Sequence, residues 1–230
     1  MFAVSLVLFA FASCGDDDTV SPKKATNRVL ELDGDGDYVS VPIASHTFVT
    51  FTVEVKVKVP NYNSNVHFVS LQQNAYLVIG DWDGGCISSW ADNLSPLDAA
   101  DAIESAITAD EWHHFAISYD GTNQYVLIDG VVVAERATTG TVTNSASYAS
   151  GLKIGCRYSG AEQFVTGQID EVRVWNIFRT ETQIRDNMNK TISAQTGLVG
   201  YWNFDDGTAA DLSGNDADGT LVGDAAIVKK

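Results

Sequence analysis

Basic residues are scarce in this chain. Only 14 Lys and Arg stand against 30 Asp and Glu among 230 residues, for a formal charge of −16. A surface this negative repels phosphate backbones, which argues against a nucleic-acid partner. Cysteines number three, and a chain able to bury one good core needs no more than that. The apolar run at residues 1–13, MFAVSLVLFAFAS, falls short of the roughly 20 residues that cross a bilayer as a helix. A Walker loop and a dinucleotide fingerprint are absent, as are a G-x-S-x-G nucleophile elbow and any repeat of 20 to 50 residues. These gaps set aside the common nucleotide-dependent enzymes, α/β-hydrolases, solenoids and propellers. What the chain has is carboxylate, which favours cation binding wherever several Asp converge.

Alternation is the strongest pattern present. In TFTVEVKVKVP, residues 50–60, Phe51, Val53, Val55, Val57 and Val59 alternate with Thr52, Glu54, Lys56 and Lys58, which predicts a strand with one buried and one wet face. Pro60 ends it. Similar runs recur (RVLELDG, DYVSVP, VHFVSLQQ, AYLVIGD, WHHFAISYDG, QYVLIDGVVVAE, LKIGC, GQIDEVRVW, GLVGYWNF) between Gly, Asn, Asp and Ser clusters. Asp129-Gly130 between two apolar triplets predicts a tight hairpin. About a dozen short strands in one domain predict an all-β sandwich or jelly roll. One segment predicts a helix, over residues 181–189: Thr180 and Gln183 form a capping box, with Ile184 and Met188 on one face.

The N-terminus resembles that of a bacterial lipoprotein. Small residues before Cys14 look like a lipobox, and CGDDD looks like an acidic signal for export to the cell surface in some Gram-negative groups. The resemblance implies a signal over residues 1–14 and a lipid on Cys14 holding the protein to the outer membrane. A basic leader segment is missing, and a plain secretory signal is the alternative reading. Residues 15–25, GDDDTVSPKKA, read as a flexible tether, leaving 26–230 as the folded domain. In an exported chain the remaining Cys86 and Cys156 suggest a disulfide, though a fold of this size does not require one.

Taken in order, LELDGDGDYVSVP, FTVEVKVKVP, EWHHFAISYDG, YVLIDGVVV, LKIG, GQIDEVRVWNIFRTETQI and GLVGYWNFDDGTAADLSGNDADGT resemble the concanavalin A-like, laminin G-like jelly roll of the pentraxin-like kind found in bacterial surface proteins. The resemblance covers residues 28–222. It implies a two-sheet antiparallel sandwich of about six or seven strands per sheet, with first and last strands as neighbours. The stretch from Asp81 to Ser105 is longer than the family pattern leads one to expect.

Two acid groups invite a chemical role. In GQIDEVRVWN, residues 167–176, strict alternation sets Asp170 on the side of Val172 and Val174, with Glu171 and Arg173 facing outward. The pair would then not flank one bond as glycosidase carboxylates must. Laminarinase-type relatives carry E-x-D-x-x-E on one strand, but Gln168 and Arg173 occupy the glutamate positions here. The second group, Asp33, Asp35 and Asp37, fails as an EF-hand, because Tyr38 and Ala44 stand where Gly and Glu are needed. The family resemblance implies instead a structural calcium (Ca2+) held by Asp33, Gly36 and Asp170. The alternative is that these are turn residues with solvated charges. Asp211, Asn215 and Asp216 admit the same two readings, with a plain turn favoured, and His113-His114 fall on opposite faces, so they cannot share a metal.

Flat aromatic faces with polar rims bind sugars. Tyr62, Trp82, Trp90 and Tyr158 fall in predicted loops and are the candidates, with packing over the sheet ends as the competing role. Trp112, Trp175 and Trp202 are expected in the core. The expectation is a non-catalytic, lectin-like surface module binding carbohydrate or glycoprotein. The alternative is a protein-interaction subunit of an envelope or adhesion assembly, and a hydrolase with an unfamiliar site is a third reading.

Overall fold

The computed structural model describes residues 27–43, 47–62, 65–71, 77–82, 86–90, 94, 97–98, 107–143 and 151–230. The leader, Cys14 and the tether lie outside these. Two antiparallel sheets enclose the core. The first runs β11 (Val131–Ala137), β10 (Asn123–Ile128), β9 (His113–Tyr119), β4 (Phe51–Lys58), β14 (Thr166–Trp175), β1 (Arg28–Asp33) and β17 (Ala226–Lys229), with β15 (Leu198–Trp202) joined to β14. The second runs β16 (Thr220–Val222), β2 (Tyr38–Val41), β13 (Leu152–Ile154), β5 (Val66–Leu71), β6 (Leu77–Trp82), β7 (Cys86–Trp90) and β8 (Leu97–Asp98). A short ribbon pairs β3 (Thr47–Phe48) with β12 (Val142–Thr143). Strands β1 and β17 are neighbours, Arg28 opposite Lys229, as expected of this jelly roll. The long stretch after Asp81 supplies β7 and β8 at the edge of the second sheet.

The strand pattern follows from side-chain chemistry. Val53, Val55 and Val57 of β4 are fully buried between the sheets with Phe68, Phe115 and Ile169. Asp129 and Gly130 both take positive φ (49° and 76°), the two-residue turn that matches strand twist, and Ile128 pairs with Val131. Helix α1 (Glu181–Asn187) starts at Thr180, whose side chain accepts from Gln183 N while the Gln183 side chain accepts from Thr180 N. Ile184 packs on Ala116 and Leu127.

Two expectations about faces do not hold. Thr52 and Glu54, expected wet, are buried, because the segment around α1 lies across that half of the first sheet. Ser118 Oγ donates to Arg179 O, Thr52 Oγ1 to Ile177 O, and Arg173 Nη1 to Asn187 O (2.9–3.1 Å). The second correction lies in β14. Glu171 sits at φ 53°, and the register against β4 slips by one between Asp170 and Arg173. This bulge leaves Ile169 and Val172 in the core and puts Asp170, opposite Lys56, on the outer face with Arg173, opposite Glu54. One extra residue therefore breaks the alternation.

Candidate functional site

The outer face of the second sheet carries a row of polar side chains across four strands: Thr220, Ser40, Lys153 and Ser70 stand in register. Alternation in β2 buries Val39 and Val41 and turns Tyr38 and Ser40 outward. The loop after β13 folds back over this face, anchored where Ser70 Oγ donates to Cys156 O (2.8 Å) and Gly155 N to Phe68 O (2.9 Å). Between loop and sheet edge lies a recess of about 520 Å³, whose walls include Tyr38, Ser40, Lys153, Tyr158, Ser159 and Thr220. Lys153 Nζ donates to Ser40 Oγ at 2.7 Å and lies 5.5 Å from the Tyr38 ring centre. The Arg157 guanidinium packs 4.9 Å from the Tyr158 ring and pairs with Glu162. Burial pulls the Lys153 ammonium below its usual pKa.

A second cavity, about 510 Å³, opens at the end of the sandwich and includes Glu31, Asp33, Asp37, Lys58, Asp110 and Asp224 in its walls. Ligand oxygens of Asp33, Asp37 and Asp224 lie within 4.8 Å of one another. Asp37 is buried and accepts from Asp33 N (2.8 Å) and Gly34 N (3.3 Å). Burial raises its pKa despite those donors. Three carboxylates this close match the donor set of a hard cation such as calcium.

The expected calcium set is only partly assembled. Asp33 belongs to the carboxylate group, but Asp170 points to the outer face of the first sheet, where Lys230 Nζ donates to it at 3.0 Å. Asp37 and Asp224 join Asp33 in the place expected for Asp170. Asp170 and Glu171 share a face, contrary to strict alternation, yet each is engaged. Burial pushes the Asp170 carboxyl up to about 6, against the pull of Lys230. Glu171 bonds Arg173 and accepts from Tyr201 Oη (2.9 Å). Asp211 is saturated by turn donors, among them Tyr201 N, Ser213 N and Ala217 N, as a plain turn requires. His113 and His114 do face opposite ways: His113 packs edge-on to Tyr62 and tilted against Phe115, while His114 lies 3.3 Å from Glu54.

Among the aromatic candidates whose side chains are described, Tyr158 borders the recess. Tyr62 is buried in the core against Phe115, the packing role. Trp82 and Trp90 end strands β6 and β7 rather than sitting in loops, four register positions apart. Trp175 and Trp202 are core, whereas Trp112 is half-buried beneath the Lys230 ammonium, 3.9 Å from the ring centre. Cys156 is a free, buried thiol, so the bridge to Cys86 is not formed. Strands β5 and β6 intervene between β13 and β7, a lateral gap of about 14 Å at the usual strand spacing, which a disulfide cannot span.

Tyr38, Ser40, Lys153 and Thr220 escaped the sequence reading. The alternation in YVSV signals that Tyr38 and Ser40 face outward, but pairing of residue 40 with 153 and 220 is a long-range matter.

These features define a two-layer antiparallel jelly roll with a polar-aromatic recess on one sheet and an acidic cavity at one end. Residues 33–185 match the family described as the concanavalin A-like lectin/glucanases superfamily, and the chain belongs to it. No curated protein matches the chain by sequence. Among solved structures, a candidate carbohydrate-binding protein from Bacteroides ovatus shares 23% identity at a TM-score of 0.72, over 89% of this chain. This chain spans 60% of that protein's length. A heptameric SAP-like pentraxin from Limulus polyphemus shares 12% identity at a TM-score of 0.61, over 91% of this chain and 98% of its own. Domain 4 of AbnA, an arabinanase of Geobacillus stearothermophilus solved with arabinotriose, shares 17% at a TM-score of 0.50, over 69% and 86%. At these identities the likeness is one of fold.

Proposed function

We propose that the chain is a non-catalytic carbohydrate-binding module displayed at the cell surface and that its ligand occupies the recess on the second sheet. The observation that carries this is the recess itself: two tyrosines beside hydroxyls and an ammonium, the mixture that apposes sugar C–H faces and satisfies sugar hydroxyls. No carboxylate is among its wall residues, so the acid pair of a glycosidase has no counterpart there. The Bacteroides protein and the arabinotriose-bound domain support the reading by analogy of fold.

In the same reading Asp33, Asp37 and Asp224 hold a structural calcium, which would offset their mutual repulsion and fix the turn between β1 and β2. The lipid anchor on Cys14 in the outer membrane is a further part, supported by the lipobox-like sequence; mass spectrometry of the membrane-extracted protein would detect a diacylglycerol thioether there.

Glycan-array binding by the purified domain tests the function, with Tyr38→Ala and Tyr158→Ala expected to lower the signal at least tenfold. Co-purification of one fixed protein partner with no glycan signal would support the interaction-subunit reading instead. Release of reducing ends from a polysaccharide would show a hydrolase.

A further inference from the structure

Among the described residues, three Lys or Arg side chains are buried: Lys153, Arg173 and Arg179. Both arginines face Glu54, at 3.6 and 3.8 Å, and Arg173 also bonds Glu171. Lys153 differs. It is 8% exposed, its ammonium has one hydrogen-bond partner, the neutral Ser40 hydroxyl, and no carboxylate among the described residues pairs with it. In a chain with 30 acids and 14 bases, a buried cation facing a recess whose walls carry no acid is a departure from the average surface. A buried charge is costly without a counterion, and the Tyr38 ring face offsets only part of that cost.

We infer that the recess selects a singly acidic sugar, with the Lys153 ammonium binding the anionic group while Ser40 and Thr220 meet neighbouring hydroxyls and Tyr38 and Tyr158 line the ring. This rests on the carbohydrate reading above and narrows it. One ammonium calls for one negative group, a uronate carboxylate or a sulfate ester, whereas a densely charged polyanion would be repelled by the chain's net charge of −16. The anion would replace water around a partly dehydrated cation, so the pair is worth more than one at an open surface.

Calorimetry on the intact folded chain tests this with four ligands sharing one neutral oligosaccharide backbone. One is unsubstituted, one carries a single glucuronate, one carries its methyl ester and one carries a single sulfate ester. The glucuronate form, the sulfate form or both are expected to bind at least tenfold more tightly than the methyl ester, equivalent to about 1.4 kcal/mol, and to weaken as salt rises; comparing the two identifies the anionic group. Lys153→Met should erase that preference while leaving the neutral backbone's affinity within about twofold, and Lys153→Arg should retain part of it. Because the methyl ester removes the charge from the ligand, the comparison stands even where a variant folds poorly. Equal binding of charged and neutral forms would overturn the acidic-sugar assignment and leave the carbohydrate reading intact. Absence of binding by all four ligands and by every glycan on the array would overturn both.

Discussion

The indole Nε1 of Trp175 donates to Glu54 Oε1 across 2.8 Å, with both side chains buried beneath the segment that carries α1. Around the same carboxylate gather His114, Arg173 and Arg179. Burial pushes the Glu54 carboxyl up, but the neighbouring His114 and the two guanidiniums together hold it below its usual range. Glu54→Ala should destabilise the fold by about 3–5 kcal/mol, since it leaves the buried Arg179 guanidinium without a carboxylate and takes from Arg173 one of its two. Glu54→Gln, which keeps a partner for the indole, should cost less than the alanine. Urea unfolding measures both; a loss under about 1 kcal/mol for the alanine variant would remove this cluster from the stabilising core.

Asp170 yields a pH-dependent prediction of the opposite sign. Its folded-state pKa is raised to about 6 from 3.8, chiefly by burial, with Lys230 opposing and Glu171 adding to the rise; Lys56 stands opposite it in the register. A group that binds its proton more tightly when folded adds stability below pH 4, and that contribution fades as pH rises through 6. Asp170→Asn should therefore gain stability relative to the wild type on going from pH 4 to pH 7.5, by about 3 kcal/mol at most for a shift of this size. Paired thermal melts at the two pH values check the sign.

The three carboxylates at the end of the sandwich predict a response to calcium. Adding 1 mM calcium after EDTA should raise Tm by several degrees, as expected when an ion binds only the folded state. Asp37→Asn and Asp224→Asn should each reduce the rise, whereas Asp170→Asn should leave it unchanged. An identical Tm with and without calcium would argue against a site there.

Cys156 should be chemically silent until the protein unfolds. Burial pushes its thiol up to about 12, which leaves little thiolate to react at neutral pH. Labelling with a thiol reagent should be slow in buffer and complete in denaturant, and non-reducing peptide mapping should yield no Cys86–Cys156 linked peptide.

Much of the architecture was legible in the sequence because it depends on neighbours along the chain. Alternating valines set β4, the Asp129-Gly130 pair set the hairpin of β10 and β11, and Thr180 with Gln183 set the start of α1. The candidate site was hardly legible. Tyr158 borders the recess and Tyr62 packs inside, while Trp82 and Trp90 end strands, and aromatic residues at strand ends look like loop residues until pairing is known. Asp33 and Asp37 stand together in one acidic turn of the sequence, but Asp224 lies 187 residues beyond Asp37, and only the return of the chain beside β1 brings it near.

Local pattern alone determined that this chain forms strands, where it turns and which valines are dry, because backbone geometry couples residues two to four apart. Tertiary structure decided the rest: that a single left-handed residue, Glu171, turns Asp170 outward, that α1 buries Glu54, and that Ser40, Lys153 and Thr220 meet in one recess. Those outcomes rest on strand order and register between distant segments, which no window along the sequence contains.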